Sequence, residues 1–376
     1  MKVPIPSAYP SLREILTVFQ KSNPAKFSDT ISKSTGISSG HMNDLVSGNR
    51  SFTKDQLLMV SSGLGIDART LIMAHLKERI NQISEERDSA RQIRNMTADL
   101  NHLDTISFNI ATDIPDGLPG RFIESLIHYE GSRNIRNHEK MLPDGVIQLV
   151  FLLDDHERLC INDTRHESTQ TLKEAWVSGA QKSFRSLIIP QNEKTLTVRF
   201  KPGGFFAITG IPASETTHSF IPADQIFGPS VIHLNNYLKQ AATPADCFNA
   251  LKCYLLKQYQ KKGKPAQNKL IRLNHIVSRP VQQLADESGI SHKHFIQLFK
   301  KHIGLSPKYY QRILRFGNTL KEILSISRYP EWADIVFDNN YYDQPHLINE
   351  FRHFSGYSPQ SYLETGNTCT KYFHPG

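Results

Sequence analysis

The sequence predicts a multidomain α+β protein with an all-α N-terminal region, a β-rich middle region and an all-α C-terminal region. Apolar residues recur at helical spacing before about residue 104 and again after about residue 231. Between these regions, short apolar runs alternate with turns that contain Pro and Gly, a pattern typical of strands. A chain of 376 residues is long enough for two or three domains with buried cores.

Changes in the character of the sequence predict the limits of these regions. The segment before residue 105 ends in polar residues of alternating charge, which favours a solvated linker helix. The expected units are a helical domain at 1–80, a linker helix at 81–104, a β-rich domain at 105–230, a helical connector at 231–269 and a second helical domain at 270–366.

The net charge of +8 is distributed unevenly along the chain. Residues 1–104 hold 13 basic and 11 acidic side chains, and residues 105–230 hold 12 and 15. Residues 231–376 hold 19 basic and 10 acidic side chains, a net charge of +9. The basic excess therefore lies in the C-terminal part, as a surface that binds phosphate groups requires.

The composition predicts a cytoplasmic protein. No run of about 18 apolar residues is long enough to span a membrane, and the N-terminus lacks the apolar core and cleavage site of a signal peptide. The cysteines form no C-x-x-C pair, which suits reduced thiols. These four cysteines are Cys160, Cys247, Cys253 and Cys369.

Residues 281–304 have the pattern of two short helices joined by a tight turn. Gly289 can end the first helix at little steric cost, and Ser291 is a natural N-cap for the second. The second helix has an apolar inner face and a polar, basic outer face, as a helix that reads the DNA major groove requires. The residues predicted to contact DNA are Ser291, His292, Lys293, Ile296, Gln297 and Lys300.

The same pattern repeats at residues 331–356. Asn340 occupies the turn, where Asn tolerates the left-handed conformation, and Asp343 can cap the following helix. Gln and Asn can bind adenine edges at two points, and Arg can bind guanine or phosphate. The residues predicted to contact DNA here are Gln344, His346, Asn349 and Arg352.

A helix predicted at about 306–324 joins the two units. A helix of this length would fix the two reading helices, the second helix of each unit, relative to each other. They are then expected to enter adjacent major grooves about 34 Å apart on one face of the DNA. Reaching both grooves commonly bends the duplex, at a cost of roughly 1–6 kcal/mol.

Residues 270–365 resemble the DNA-binding domain of the AraC/XylS family of transcriptional regulators. The resemblance rests on LAxxSGxSxxxFxxLFKKxxGxSPxxY and on WADI…YYDQPHLINEFRHFSGYSPQSY. It implies a double helix-turn-helix domain and RNA polymerase as a partner. It favours activation of transcription over repression. Two positions depart from the family pattern: Asn340 replaces a common Gly, and Pro345 replaces a frequent polar residue.

Residues 26–67 are similar to the lambda-repressor/Cro-like helical fold. Gly36 makes the turn and Ser38 caps the next helix. Asp44 on the second helix would repel phosphates, so a dimerisation or protein-interaction domain of the same shape is an equal alternative. The DNA-binding positions that the resemblance implies are Ser39, His41, Asn43 and Arg50.

The middle region resembles a β-rich module found upstream of AraC-type domains, where a cupin-like sensor or dimerisation unit is common. The resemblance implies its role and leaves open the effector, a small molecule or a protein, and a homodimer. Its aromatic residues favour a plain core over a pocket. Its histidines contain no pair with metal-ligand spacing, so neither a metal nor a cofactor is expected. The aromatic residues are Trp176, Phe200, Phe205 and Phe206, and the histidines are His128, His138, His156, His166 and His218.

Three functions compete. The favoured one is a sequence-specific regulator that is not an enzyme. The second joins a DNA-binding domain to an enzyme, for example an alkyl acceptor in DNA repair that uses Cys160 or Cys247, although neither has an adjacent His. The third is a nonspecific architectural DNA binder, which a net charge of +9 on a mixed surface disfavours.

Overall fold

The computed structural model describes residues 107–132, 137–162, 167–262, 279–325 and 330–364, with six single positions before them. The predicted N-terminal helix-turn-helix, with Ser39, His41, Asn43 and Arg50, and the linker helix at 81–104 lie outside the described residues. The six single positions are helical and buried. They are Leu16, Leu57, Val60, Leu71, Ala74 and His75.

The middle region is β-rich, as predicted, and its strands form two antiparallel sheets. The strands are β1 Ser107–Asp113, β2 Ile123–Ser132, β3 Asn137–Met141, β4 Gln148–Leu152, β5 Arg158–Asn162, β6 Glu167–Leu172, β7 Ala175–Ser178, β8 Arg185–Ile189, β9 Asn192–Phe200 and β10 Phe220–Pro222. Within the described ranges, the larger sheet has the order β1-β2-β9-β4-β7-β10 and the smaller one the order β3-β8-β5-β6.

Strand β4 separates two apolar cores. Successive side chains of a strand point to opposite faces of the sheet. Leu149 and Phe151 therefore pack into the core that continues toward the C-terminal helices. Val150 and Leu152 pack on the other face, in a smaller core that includes Trp176. A strand buried on both faces explains why residues 149–153 form an uninterrupted apolar run.

The apolar run at residues 205–211 is one of those whose pattern predicts a strand. That prediction is wrong, because residues Gly204–Thr209 form a short helix, α1. Gly203 and Gly210 adopt left-handed conformations with φ of 80° and 72°, and they set the two ends of this helix. All six helical residues are buried. Periodicity does not separate a short buried helix from a buried strand, since both are continuously apolar.

The remaining α-helices follow the last described strand, β10. Among the described residues they are α2 Ala223–Phe227, α3 Ser230–Gln240, α4 Pro244–Lys262, α5 Val281–Glu287, α6 His292–Ile303, α7 Pro307–Ser325, α8 Trp332–Asp338, α9 Gln344–Ser355 and α10 Pro359–Glu364. None of the described helices has the length and hydropathy that crossing a bilayer requires. One apolar core joins the larger sheet to the C-terminal helices, from Phe151 and Phe205 to Phe299 and Phe316.

Candidate nucleic-acid interface

The first helix-turn-helix unit consists of α5, a tight turn and α6. Gly289 has a φ of +67°, and the N–H of Ile290 donates to the carbonyl of Ala285 at 3.3 Å. This bond is the one that ends a helix in a Schellman motif. The hydroxyl oxygen of Ser291 accepts a hydrogen bond from the N–H of His294 at 3.3 Å, so Ser291 caps α6 as predicted.

The second unit, formed by α8 and α9, has the same turn. Asn340 has a φ of +55°, and the N–H of Tyr341 donates to the carbonyl of Val336 at 2.9 Å. The carboxylate of Asp343 accepts from the N–H of His346 at 2.7 Å and caps α9. Asn340 therefore adopts the left-handed conformation that Gly289 adopts in the first unit, and both predicted turns are confirmed.

The outer faces of α6 and α9, the two reading helices, are open to solvent. Eight of their ten predicted contact residues are exposed, and Ile296 and His346 are half-buried. His346 already has a structural contact, since its Nδ1 accepts from the N–H of Tyr342 at 3.2 Å. The exposed eight are Ser291, His292, Lys293, Gln297, Lys300, Gln344, Asn349 and Arg352.

The charges on these faces favour the binding of a polyanion such as DNA. Lys293, Lys300 and Arg352 are exposed on the reading helices. The carboxylate of Glu287 on the neighbouring α5 is paired with the guanidinium of Arg279 at 2.7 Å, and Asp286 accepts from Gln282 at 2.9 Å. The acidic groups closest along the chain to α6 thus have local partners.

Helix α9 is fixed to α7 by a buried carboxylate. Glu350 is only 3% exposed. Its Oε1 accepts from Nε of Arg312 at 2.7 Å, and its Oε2 accepts from Nε of Arg315 at 2.9 Å. We call Glu350, Arg312 and Arg315 the carboxylate clamp. Charge-assisted bonds of this kind are strong and directional, so the clamp orients the second reading helix on α7.

Aromatic rings enclose the clamp. The guanidinium of Arg315 lies 4.8 Å from the ring centre of Tyr341, and that of Arg312 lies 5.0 Å from the ring centre of Tyr309. Burial raises the pKa of Tyr341 to about 12, so its phenol stays protonated and contacts the hydroxyl of Thr319 at 3.2 Å.

Sequence reasoning missed the carboxylate clamp, although the sequence contained a signal for it. Leu347, Phe351 and Phe354 form the apolar face of α9, and Glu350 lies on that face at helical spacing. A buried acidic residue on an apolar face requires a partner that compensates its charge. The partners are Arg312 and Arg315, which are half-buried on α7.

Two histidines lie near the C-terminal ends of the reading helices. Burial and the adjacent Lys301 lower the pKa of His302 on α6. Burial and Arg312 lower the pKa of His353 on α9. Both imidazoles are therefore mainly neutral at pH 7, and lysine and arginine carry the positive charge of the interface.

Two family models match the chain. Residues 284–365 match a model described as "Helix-turn-helix domain". Residues 120–222 match one described as "Domain of unknown function (DUF6597)". A search of curated proteins found no match.

Several solved structures from Vibrio cholerae are similar at low TM-scores. ToxT from strain O395 is 8% identical over 70% of this chain and 99% of its own, with a TM-score of 0.34. Wild-type ToxT from strain SCE256, titled as bound to an unsaturated fatty acid, is 9% identical over 69% and 94%, with a TM-score of 0.34. An HTH_3 family transcriptional regulator is 18% identical over 51% and 95%, with a TM-score of 0.22.

The match to the helix-turn-helix model coincides with the two capped units and their open, basic faces. Residues 284–365 are a DNA-binding helix-turn-helix domain of the AraC type, the kind of domain that transcription regulators use.

Proposed function

We propose that the protein is a sequence-specific regulator of the AraC family, an activator that reads two adjacent major grooves with α6 and α9. The observation that carries this proposal is the repeated unit, in which each reading helix follows the same turn and has the same kind of cap. Both outer faces are exposed, and the carboxylate clamp fixes one of the helices on α7. Such helices read neighbouring grooves about 34 Å apart.

The other regions have supporting roles in this proposal. The β-rich region at 105–230 is a cupin-like sensor or dimerisation unit, and 231–269 connects it to the DNA-binding domain at 270–366. Such a regulator acts in the cytoplasm. Its partners are a small-molecule or protein effector, a second copy of the chain in a homodimer, and RNA polymerase. For 1–80, a second DNA-binding site and a protein-interaction surface remain the two alternatives.

Base reading predicts that Gln297→Ala or Asn349→Ala lowers preference for the cognate site by roughly 1–3 kcal/mol, since each amide can bind a base edge at two points. The measurement is competition between random DNA and a duplex that the wild-type chain selects from a random pool. Gln283→Ala, which removes an exposed glutamine from α5, is the matched control. Equal weakening on random DNA would contradict base reading.

Lys300→Ala is expected to weaken binding to all duplexes, because an ammonium on the outer face of α6 neutralises phosphate whatever the base sequence. The slope of log K against log salt should fall by about 0.9 for one lost phosphate contact. Lys300→Arg keeps the charge and should retain the slope. An unchanged slope in the alanine variant would show that Lys300 contacts no phosphate.

The buried cysteines disfavour the alkyl-acceptor alternative. Such an acceptor needs an activated, accessible thiolate. Cys160 and Cys247 are 1% and 2% exposed, and burial raises the pKa of Cys247. The environment of Cys247 therefore favours the protonated thiol.

A further inference from the structure

The β-rich region contacts the C-terminal end of the first reading helix. Thr217, which follows α1 in the chain, donates its hydroxyl to the carbonyl of Gly304 at 2.5 Å. Gly304 ends α6 with a φ of +92°, and a Cβ on it would lie 3.0 Å from the carbonyl oxygen of Ala213. The backbones approach closely at this point, so a side chain at position 304 would crowd the carbonyl of Ala213.

Aromatic contacts reinforce this end of α6. The ring of Phe206 in α1 meets the ring of His302 edge to face, with centroids 4.7 Å apart. The ammonium of Lys301 lies 5.0 Å from the centre of the same Phe206 ring. Lys301, His302 and Gly304 thus contact the β-rich region.

The β-rich region also contacts the C-terminal end of the second reading helix. The ammonium of Lys140 in β3 lies 3.4 Å from the carbonyl oxygen of Ser355, the last residue of α9. It also lies 4.4 Å and 3.9 Å from the ring centres of Phe184 and Tyr357. A cation at a helix C-terminus is favourable, because unpaired carbonyls carry partial negative charge there.

A second contact reaches α9 through Tyr309 of α7. The phenol donates to the carbonyl of Lys182, between β7 and β8, at 2.8 Å. The phenol has one proton and the carbonyl can only accept, so Nε2 of His353 donates to the phenol oxygen at 2.7 Å. The N–H of Lys182 in turn donates to Nδ1 of His218 at 3.2 Å, which orders this loop. The chain of bonds joins α9 to the β-rich region.

These contacts leave the N-terminal turns of both reading helices open. Lys293 and Gln297 on α6 are exposed, as are Gln344 and Asn349 on α9. The β-rich region therefore holds each reading helix at the end opposite to the one that is expected to enter the groove.

We infer that Lys140, Thr217 and Tyr309 are positioning residues that set the distance and tilt between the two reading helices. They thereby set the spacing that the protein accepts between the two half-sites, the short DNA sequences that α6 and α9 each read. This inference rests on the proposed function. One base pair of added spacing moves a half-site by about 3.4 Å and rotates it by about 34°. Two rigidly held helices cannot both remain in their grooves after such a change.

The test uses the full chain and a duplex that the wild-type chain selects from a random pool. Affinity is measured for this duplex, for versions with one base pair added or removed between the half-sites, and for a version with one half-site scrambled. Wild type should prefer the selected spacing by roughly tenfold or more. Lys140→Met with Tyr309→Phe should reduce that preference roughly fivefold to tenfold, since the hydrogen bonds that both residues make between the two regions are lost. Binding to the single half-site should not change.

Lys173→Met with Tyr237→Phe is the matched control, because both residues are exposed and lie outside these contacts. It should keep the wild-type spacing preference. Thermal unfolding checks that each variant folds. If the double variant does not fold, Tyr309→Phe alone, which keeps the ring, decides the question. An unchanged spacing preference, or an equal loss on the single half-site, overturns the inference. A wild-type chain that selects no sequence from the pool refutes the proposed function itself.

Discussion

Phe316→Ala is expected to lower the free energy of unfolding by about 3–5 kcal/mol, the range for removing a buried Phe side chain from a core. Phe316 lies on α7 with no exposed surface. Its ring centre lies 5.1 Å from that of Phe351 and 5.2 Å from that of Phe354, both on α9. The substitution therefore opens a cavity between the connecting helix and the second reading helix.

Urea denaturation of the full chain measures this effect. Phe316→Leu is the control, because it keeps most of the apolar volume and should cost much less than the alanine variant. Hydrogen exchange should locate the loss of protection in α7 and α9. A loss below about 1 kcal/mol for the alanine variant would mean that this core does not hold α9 in place.

Glu350→Ala is expected to destabilise the domain by roughly 3 kcal/mol, near the lower limit for breaking a buried ion pair. The carboxylate side chain is 2% exposed, whereas those of Arg312 and Arg315 are 34% and 22% exposed. The arginines therefore keep part of their hydration when the carboxylate is lost, which limits the cost. Their mutual repulsion should also loosen α9 on α7 and weaken binding to sites that need both reading helices.

The matched control is Glu287→Ala, which breaks the exposed pair with Arg279. The side chains of this pair are 46% and 37% exposed, so its loss should cost about 0.2–1 kcal/mol. Glu350→Gln keeps the shape and one acceptor oxygen and should fall between the two alanine variants. Equal unfolding free energies for Glu287→Ala and Glu350→Ala would show that burial gives the carboxylate clamp no special role.

The helix-turn-helix units were predictable because their signals are local. Gly289 and Asn340 at the turns and Ser291 and Asp343 at the caps act within a few residues of their own positions. Turn and cap chemistry of this kind is read directly from the sequence, and the structure confirms all four positions.

Features that depend on distant parts of the chain were not predictable in this way. The order of the strands joins β2 to β9 and β4 to both β7 and β9, which no local pattern specifies. The sequence of α1 predicts a strand because burial on all sides removes the helical periodicity. The contacts of Lys140 and Tyr309 with the other region depend on how two regions pack, so neither residue had a recognisable signal.

Hydroxyl-radical footprinting of a selected duplex with the full chain tests the central claim most directly, namely that α6 and α9 lie in adjacent major grooves of one DNA face. The account predicts two protected patches on the same face, separated by about one helical turn of 10–10.5 base pairs. A single patch, or even protection along the whole duplex, would contradict it.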